Sequence, residues 1–196
     1  MLTASIPLFL FVFAGLFSPG PNVVMLTASG ARFGFRRTLP HLLGVPIGTG
    51  IIAATTALGV GAALLAAPAL KLGFQIIAAA WILWMAWKTA QAGRAGRGED
   101  RGRPFTFIEA VLFQAVNPKI WAVTLAASAG FGIGLDPAWE AARLFATFAL
   151  FNLFVCLFWT SAGHLLGALL ESDRAWRIFM TVMAVIMAMT VILIFI

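Results

Sequence analysis

A closely spaced pair of prolines interrupts the first apolar stretch of the chain, which runs from Leu2 to Thr27. Proline has no backbone N–H to donate and its ring crowds the preceding helical turn, while glycine accepts almost any backbone angle. A helix is therefore expected to break at the five residues Ser18, Pro19, Gly20, Pro21 and Asn22. In hydrocarbon, backbone groups released by a break find partners only in protein or in a water-filled cavity. The feature predicts a polar site within an apolar helix.

The composition places the chain in a membrane. Of its 196 residues, 62% are hydrophobic and 10% are charged, whereas soluble domains average about 45–50% apolar and roughly 25% charged residues. The apolar runs reach the roughly 17–25 residues that a spanning helix needs, and they lack the alternation of barrel strands. We predict an all-α integral membrane protein. No Lys or Arg precedes Arg32, so the first run is expected to be a retained membrane helix, not a signal peptide.

Six apolar segments are expected to cross the bilayer, at about residues 2–29, 39–66, 68–89, 105–131, 139–170 and 176–196. Ten Lys and Arg residues then fall on one side of the membrane, and these are Arg32, Arg36, Arg37, Lys88, Arg94, Arg97, Arg101, Arg103, Arg174 and Arg177. Only Lys71 and Arg143 fall on the other side. Because cytoplasmic loops are rich in Lys and Arg, the ten-residue side is predicted to be cytoplasmic, with both termini periplasmic. The same bias explains the net charge of +6 without nucleic acid.

The third segment ends in three tryptophans ahead of Lys88, and these are Trp81, Trp84 and Trp87. Such a row suits aromatic anchors at a membrane interface, with a ligand-stacking stripe as the alternative.

The two halves of the chain are predicted to be inverted repeats within one transmembrane domain, residues 1–196. The first repeat covers about residues 1–90, a hydrophilic cytoplasmic linker covers 91–104, and the second repeat covers about 105–196. Each half has three crossings, and an odd number makes the repeats opposite in orientation. Helices 1 and 4 are each expected to break at proline, the second break lying at Asn117-Pro118-Lys119. Transporters place such broken helices around a shared midplane site.

Lys119 is the most informative single residue. A lysine inside an apolar segment costs roughly 2.5–3.5 kcal/mol on insertion scales, so it either snorkels to the interface or faces a polar path. On such a path it can hold a substrate carboxylate or bias a gate. We favour the path, because Pro118 frees backbone groups beside it. Asn22 and Asn117 either cap the half-helices or bind substrate directly. The free N–H groups of each half-helix predict an anion-binding end.

Thr49 and Asn152 are further polar residues within apolar helices. Thr49 can satisfy its hydroxyl on its own backbone, and Asn152 either bonds between helices or lies on the transport path. Gly44 and Gly48 are spaced four apart, which predicts close approach of a neighbouring helix.

The sequence offers no basis for an enzyme, a metal site or a cofactor. No nucleophile–base pairing, paired membrane carboxylates or nucleotide loop is present. His41 and His164 have no second His or acid at ligand spacing, and Cys156 is the only cysteine.

Taken in order, these motifs resemble the lysine exporter family, also called the LysE/RhtB or threonine-efflux translocators. The resemblance covers nearly the whole chain and rests on Ser18 to Asn22, Arg32-Phe33-Gly34, Gly44-Val45-Pro46-Ile47-Gly48, the Trp-rich end of segment three and Asn117-Pro118-Lys119. It implies a small secondary transporter of the bacterial inner membrane that exports amino acids or related metabolites in exchange for protons, and that is often suspected of dimerising. Some relatives have an acid near Thr49 or Asn152, where this chain is neutral.

We therefore expect an exporter of small zwitterionic or anionic solutes, most readily amino acids. One alternative is a non-transporting membrane subunit that scaffolds a partner. Another is a cation or metal exporter, against which the lack of membrane carboxylates and His pairs argues.

Overall fold

The computed structural model describes residues 2–18, 20–59, 68–91, 102–170 and 172–192, and all regular structure within these ranges is helical. The helices are α1 (Leu2–Phe17), α2 (Pro21–Phe33), α3 (Phe35–Ala57), α4 (Pro68–Ala90), α5 (Phe107–Ala115), α6 (Pro118–Gly130), α7 (Pro137–Leu169) and α8 (Asp173–Met189). The predicted all-α class is confirmed over these ranges. Pro19 and most of the predicted linker, residues 92–101, lie outside the described residues.

Two pairs of consecutive helices meet at sharp angles. Residues Ile6–Phe17 of α1 and Pro21–Phe33 of α2 lie at 56° to each other, and α5 and α6 lie at 64°. Both α2 and α6 begin with proline, which suits a first helical position because the missing N–H has no intrahelical partner there. The two junctions, residues 18–20 and 116–117, are called the first break and the second break below.

Two described helices, α3 and α7, are long and apolar enough to cross a membrane, and the number rises to four if each bent pair counts as one span. Six crossings would also require α4 and α8, and this number stays a prediction. The helix α3 begins at Phe35, four residues before the predicted Leu39. Gly34, with φ of 81°, forms the turn before it, and glycine adopts this backbone region without strain.

The 33-residue helix α7 is the centre of the packing. It contacts α1, α2 and α3, while α3 also packs on α5 and α4 pairs with α8. Glycines bring two of these interfaces close. On α7, a Cβ at Gly163 would overlap the Thr27 carbonyl of α2. On α3, a Cβ at Gly48 would lie 2.6 Å from Cγ of Gln114 in α5, and Gly44 faces the Phe107 backbone. These contacts hold α2, α3 and α5 around one polar centre.

Candidate functional site

A small enclosed cavity of about 10 Å³ lies between the two breaks and α7. Its polar lining comes from both breaks and from one face of α7, and consists of Asn22, Asn117, Lys119, Asn152, Cys156 and Trp159. Gly20 also lies in its wall. The fold therefore brings together residues of the two breaks that lie about a hundred positions apart in the chain. We call this space the central cavity.

Lys119, in the first turn of α6, reaches across to the first break. Its Nζ donates a hydrogen bond of 2.5 Å to the Ser18 carbonyl. An uninterrupted helix would pair that carbonyl with the N–H of residue 22, so the lysine binds a group that the break releases. Gly20 leaves room for the lysine stem, because a Cβ there would lie 2.8 Å from Lys119 Cδ. The Ser18 side chain is exposed and bonds to the Gly15 carbonyl instead, so only its backbone reaches this contact.

Three carboxamides join the two breaks. Asn22 Nδ2 donates to Gln114 Oε1 at 2.8 Å, and Gln114 Nε2 donates back to Asn22 Oδ1 at 3.1 Å. Asn117 Nδ2 donates to the same Gln114 oxygen at 3.4 Å, and Gln114 Nε2 also donates to the Ala110 carbonyl at 3.0 Å. Neither α2 nor α6 has a side-chain cap hydrogen bond at its start. The two asparagines are therefore engaged between helices instead of capping them.

Gln114 was not among the residues predicted from the sequence. It is fully buried in α5 and its partner Asn22 lies 92 positions away. A signal was present, because Gln114 precedes Asn117 by three positions in an apolar run, and uncompensated polar side chains in such runs are expensive.

Two polar atoms at the central cavity have no hydrogen-bond partner within the described residues. They are the buried Oδ1 of Asn117 and the buried Nε1 of Trp159. Buried polar atoms are nearly always paired, so one acceptor and one donor at the cavity indicate a place where a small polar molecule binds. The sequence analysis assigned no role to Trp159. The available signal was its place two helical turns after Asn152, on the same face of α7.

Asn152 and Thr49 form a supporting pair between α7 and α3. Asn152 Nδ2 donates to Thr49 Oγ1 at 2.8 Å, and Thr49 Oγ1 donates to the Val45 carbonyl at 2.8 Å. Asn152 Oδ1 accepts a bond from Cys156 Sγ at 3.6 Å. Asn152 lines the central cavity and Thr49 does not. Thr49 thus lies behind Asn152 and orients its amide.

Pro21 and Pro118 line a different space. Together with Lys119 they border a second cavity of about 140 Å³, whose wall also contains Ile82 of α4. Lys119 therefore lies between this cavity and the central one.

Apolar clusters adjoin the central cavity in two directions. Along α3, Leu42 and Val45 pack with Leu26 in one cluster. About two to three turns later, Ile52 packs with residues that include Phe148 in another cluster. Beyond Ile52, the hydroxyls of Thr56 and Thr124 lie 3.1 Å apart. Since Thr49 supports the cavity between these two levels of α3, apolar side chains close the site on both sides.

Helices that have the length and hydropathy to cross a bilayer, with a buried polar centre at two helix breaks, define a multi-pass α-helical membrane protein. A model of the family described as LysE type translocator matches residues 13–195. The chain belongs to this family, and the resemblance drawn from the sequence is confirmed. Family membership makes it a membrane transporter.

Several efflux proteins are similar to this chain. A cysteine/O-acetylserine efflux protein of Klebsiella pneumoniae is 33% identical over 156 residues, which cover 76% of each chain. A protein of the same name in Salmonella typhimurium is 28% identical, over 88% of this chain and 85% of its own length. Another in Escherichia coli is 29% identical, over 76% of each chain. No solved structure is significantly similar.

Proposed function

We propose that this protein is a secondary-active exporter of small zwitterionic amino acids or related metabolites in the bacterial inner membrane, and that the central cavity is its substrate site. The observation that carries this proposal is the grouping of Lys119 Nζ, Asn117 Oδ1 and Trp159 Nε1 around one enclosed cavity. A zwitterion needs a cation or donors for its carboxylate and an acceptor for its ammonium, and this set supplies both.

In the bound state, the substrate carboxylate forms an ion pair with the Lys119 ammonium and accepts a hydrogen bond from the Trp159 N–H. The N-terminal ends of α2 and α6 add partial positive charge. The substrate ammonium donates to Asn117 Oδ1. Cysteine and O-acetylserine, the compounds in the relatives' names, are α-amino acids of this small size and charge.

Transport requires the helices to separate. A cavity of about 10 Å³ accommodates roughly one water molecule, and an amino acid is several times larger. We place the movement at the two breaks, with residues 1–90 and 105–196 acting as inverted three-helix repeats of one domain that open alternately to the two sides. In this arrangement the linker faces the cytoplasm and both termini face the periplasm.

Lys119 is also the candidate for proton coupling. Among the described residues that line the central cavity, only Lys119 and Cys156 titrate. A lysine that releases its proton on one side and regains it on the other would couple export to proton exchange without a membrane carboxylate.

The test is amino-acid counterflow by the purified protein in liposomes. Lys119→Met keeps an unbranched side chain and removes the charge, and it is expected to reduce flux at least a hundredfold, because a charged contact to substrate in a closed site is lost. Lys71→Met, at the lysine predicted to lie on the periplasmic side, is the matched control and should transport normally. Normal flux by Lys119→Met would overturn the assignment, and absence of flux from the unaltered protein would favour a scaffolding subunit.

A further inference from the structure

A larger cavity, of about 240 Å³, lies beside α2 on the side away from the central cavity. Side chains of α2, α3, α4 and α8 and of the segment before α5 line it. Its polar and aromatic lining includes Arg32, His41, Trp84, Lys88, Arg103 and Phe105. We call it the basic groove.

The described wall of the basic groove carries more cationic than anionic side chains, and one carboxylate, Glu109, is paired to one of the cations. It contains three cationic side chains, of which Arg103 makes two 2.6 Å hydrogen bonds to Glu109. Those bonds raise the pKa of Arg103, which therefore stays charged. The Lys88 ammonium lies 5.9 Å from the ring centroid of Trp84, and the Arg32 guanidinium lies 4.8 Å from that of Phe33. Aromatic faces thus hold two of the cations at the groove.

His41 is an independent sign of a ligand. It lines the groove, is 2% exposed, and neither ring nitrogen has a hydrogen-bond partner within the described residues. Its ring packs against Phe105, with the centroids 5.2 Å apart. A neutral imidazole carries one donor and one acceptor, and buried ones are normally paired. A buried donor beside Arg32 and Lys88, with the charge of Arg103 matched by Glu109, suits an oxyanion.

The rest of the groove is apolar, so a ligand that fills it needs an apolar part in addition to its oxyanion. Met25, Met85 and Met180 line it. On α4, the exposed side chains of Ile77 and Trp81 precede the residues that line the groove. A free inorganic anion would leave these surfaces uncovered. An anionic head joined to an acyl chain covers them.

We propose that the basic groove binds the phosphate group of an anionic phospholipid from the cytoplasmic leaflet, with one acyl chain along α4. Lys88 follows a row of tryptophans, as at a membrane interface, and basic pockets between membrane helices on the cytoplasmic side bind such headgroups. The helix α2 links this groove to the central cavity, because Met25 and Arg32 line the groove while Val23 and Leu26 line the central cavity. A lipid bound in the groove therefore contacts the helix that also lines the proposed substrate site.

Lipid binding is tested on the purified full chain in detergent, titrated with phosphatidylglycerol or phosphatidylcholine and followed by native mass spectrometry. The unaltered protein should bind phosphatidylglycerol more tightly. Lys88→Gln should weaken that binding about fivefold, the share of one basic residue at an anionic lipid surface. Arg177→Gln removes an exposed positive charge outside the groove and should leave binding unchanged. Equal losses in both variants, or equal affinity for the two lipids, would overturn the proposal.

Two further arms identify the source of the phosphate and the role of His41. Soluble glycerol phosphate should not displace the lipid when present at the same concentration, and displacement would show that a free phosphate ester is the ligand. His41→Phe keeps a flat ring and the net charge, and should also weaken phosphatidylglycerol binding. If its melting temperature shows that it does not fold, Lys88→Gln, at an exposed position, decides alone. Because binding is measured without transport, a failure of export leaves this result intact.

Discussion

Replacing Gln114 with methionine is expected to loosen the contact between the two helix breaks. Methionine keeps the unbranched stem, including the Cγ that lies against Gly48, but it has no amide. The change removes both bonds to Asn22 and the bond from Asn117. It therefore perturbs hydrogen bonding at a fully buried position with little change in volume.

The expected loss in the free energy of unfolding is about 2 kcal/mol. Interhelical hydrogen bonds in membranes contribute roughly 0.6 kcal/mol on average; Gln114→Met removes the two that join the breaks, together with the bond from Asn117 and the bond to the Ala110 carbonyl. A buried partner left unpaired costs a further 1–3 kcal/mol or so. Asn22 is half-buried at the central cavity, where water can hydrogen-bond to its amide. The penalty for leaving Asn22 unpaired is therefore small, and the total loss in the free energy of unfolding lies near the lower end of what the lost bonds and the unpaired amide could cost together.

The assay is unfolding of the purified protein in mixed micelles with increasing SDS, followed by circular dichroism. Gln91→Met is the matched control, because Gln91 is exposed after α4, and it should change the free energy by less than about 0.5 kcal/mol. A double-mutant cycle with Asn22→Leu should show coupling of at least about 1 kcal/mol. Additive effects of Gln114→Met and Asn22→Leu, or a loss no larger than the control, would refute the reasoning.

Two other changes test the site and its framework. Trp159→Phe keeps an aromatic ring and removes the N–H. The apparent KM for counterflow is expected to rise about tenfold, as for the loss of one hydrogen bond to a charged group, while the melting temperature stays unchanged. An unaltered KM would exclude the indole N–H from substrate binding. Gly163→Ala places a methyl group against the Thr27 carbonyl and should destabilise the protein by about 1–3 kcal/mol in SDS unfolding. Gly130→Ala is its control, since nothing lies within 4 Å of a Cβ there, and equal effects of the two would show that the contact between α2 and α7 is not the cause.

The sequence predicted the all-helical class and pointed to the polar residues beside Pro21 and Pro118, because both inferences depend on local chemistry. Proline suits the first position of a helix because it has no N–H to donate, and α2 and α6 begin at Pro21 and Pro118, whereas Pro40 and Pro46 lie within α3. Lys119 was identified from its charge in an apolar run. The predicted start of α3, Leu39, is four residues too late, because the basic residues after Gly34 suggest a loop. In the structure they belong to the first turn of the helix, which begins at Phe35.

The partners of those residues could not be predicted, because they depend on how separate helices align. Nothing in the sequence fixes which residue of α5 faces Asn22, so Gln114 was missed. The same uncertainty affects Thr49: the sequence predicts the bond of its hydroxyl to its own backbone, but not the hydrogen bond that it also accepts from Asn152 of α7. Trp159 read as one more apolar residue, since only the packing of α7 brings its N–H to the central cavity.

The bond between Lys119 and the Ser18 carbonyl joins the first turn of α6 to the end of α1, and in the proposed exporter it occupies the ammonium while no substrate is bound. A substrate carboxylate bound there competes with this carbonyl for the ammonium, and the contact between the two breaks weakens as the carboxylate takes its place. In the proposed exporter, an unloaded carrier stays fastened, so futile cycling and leakage of ions through the membrane are suppressed until cargo arrives.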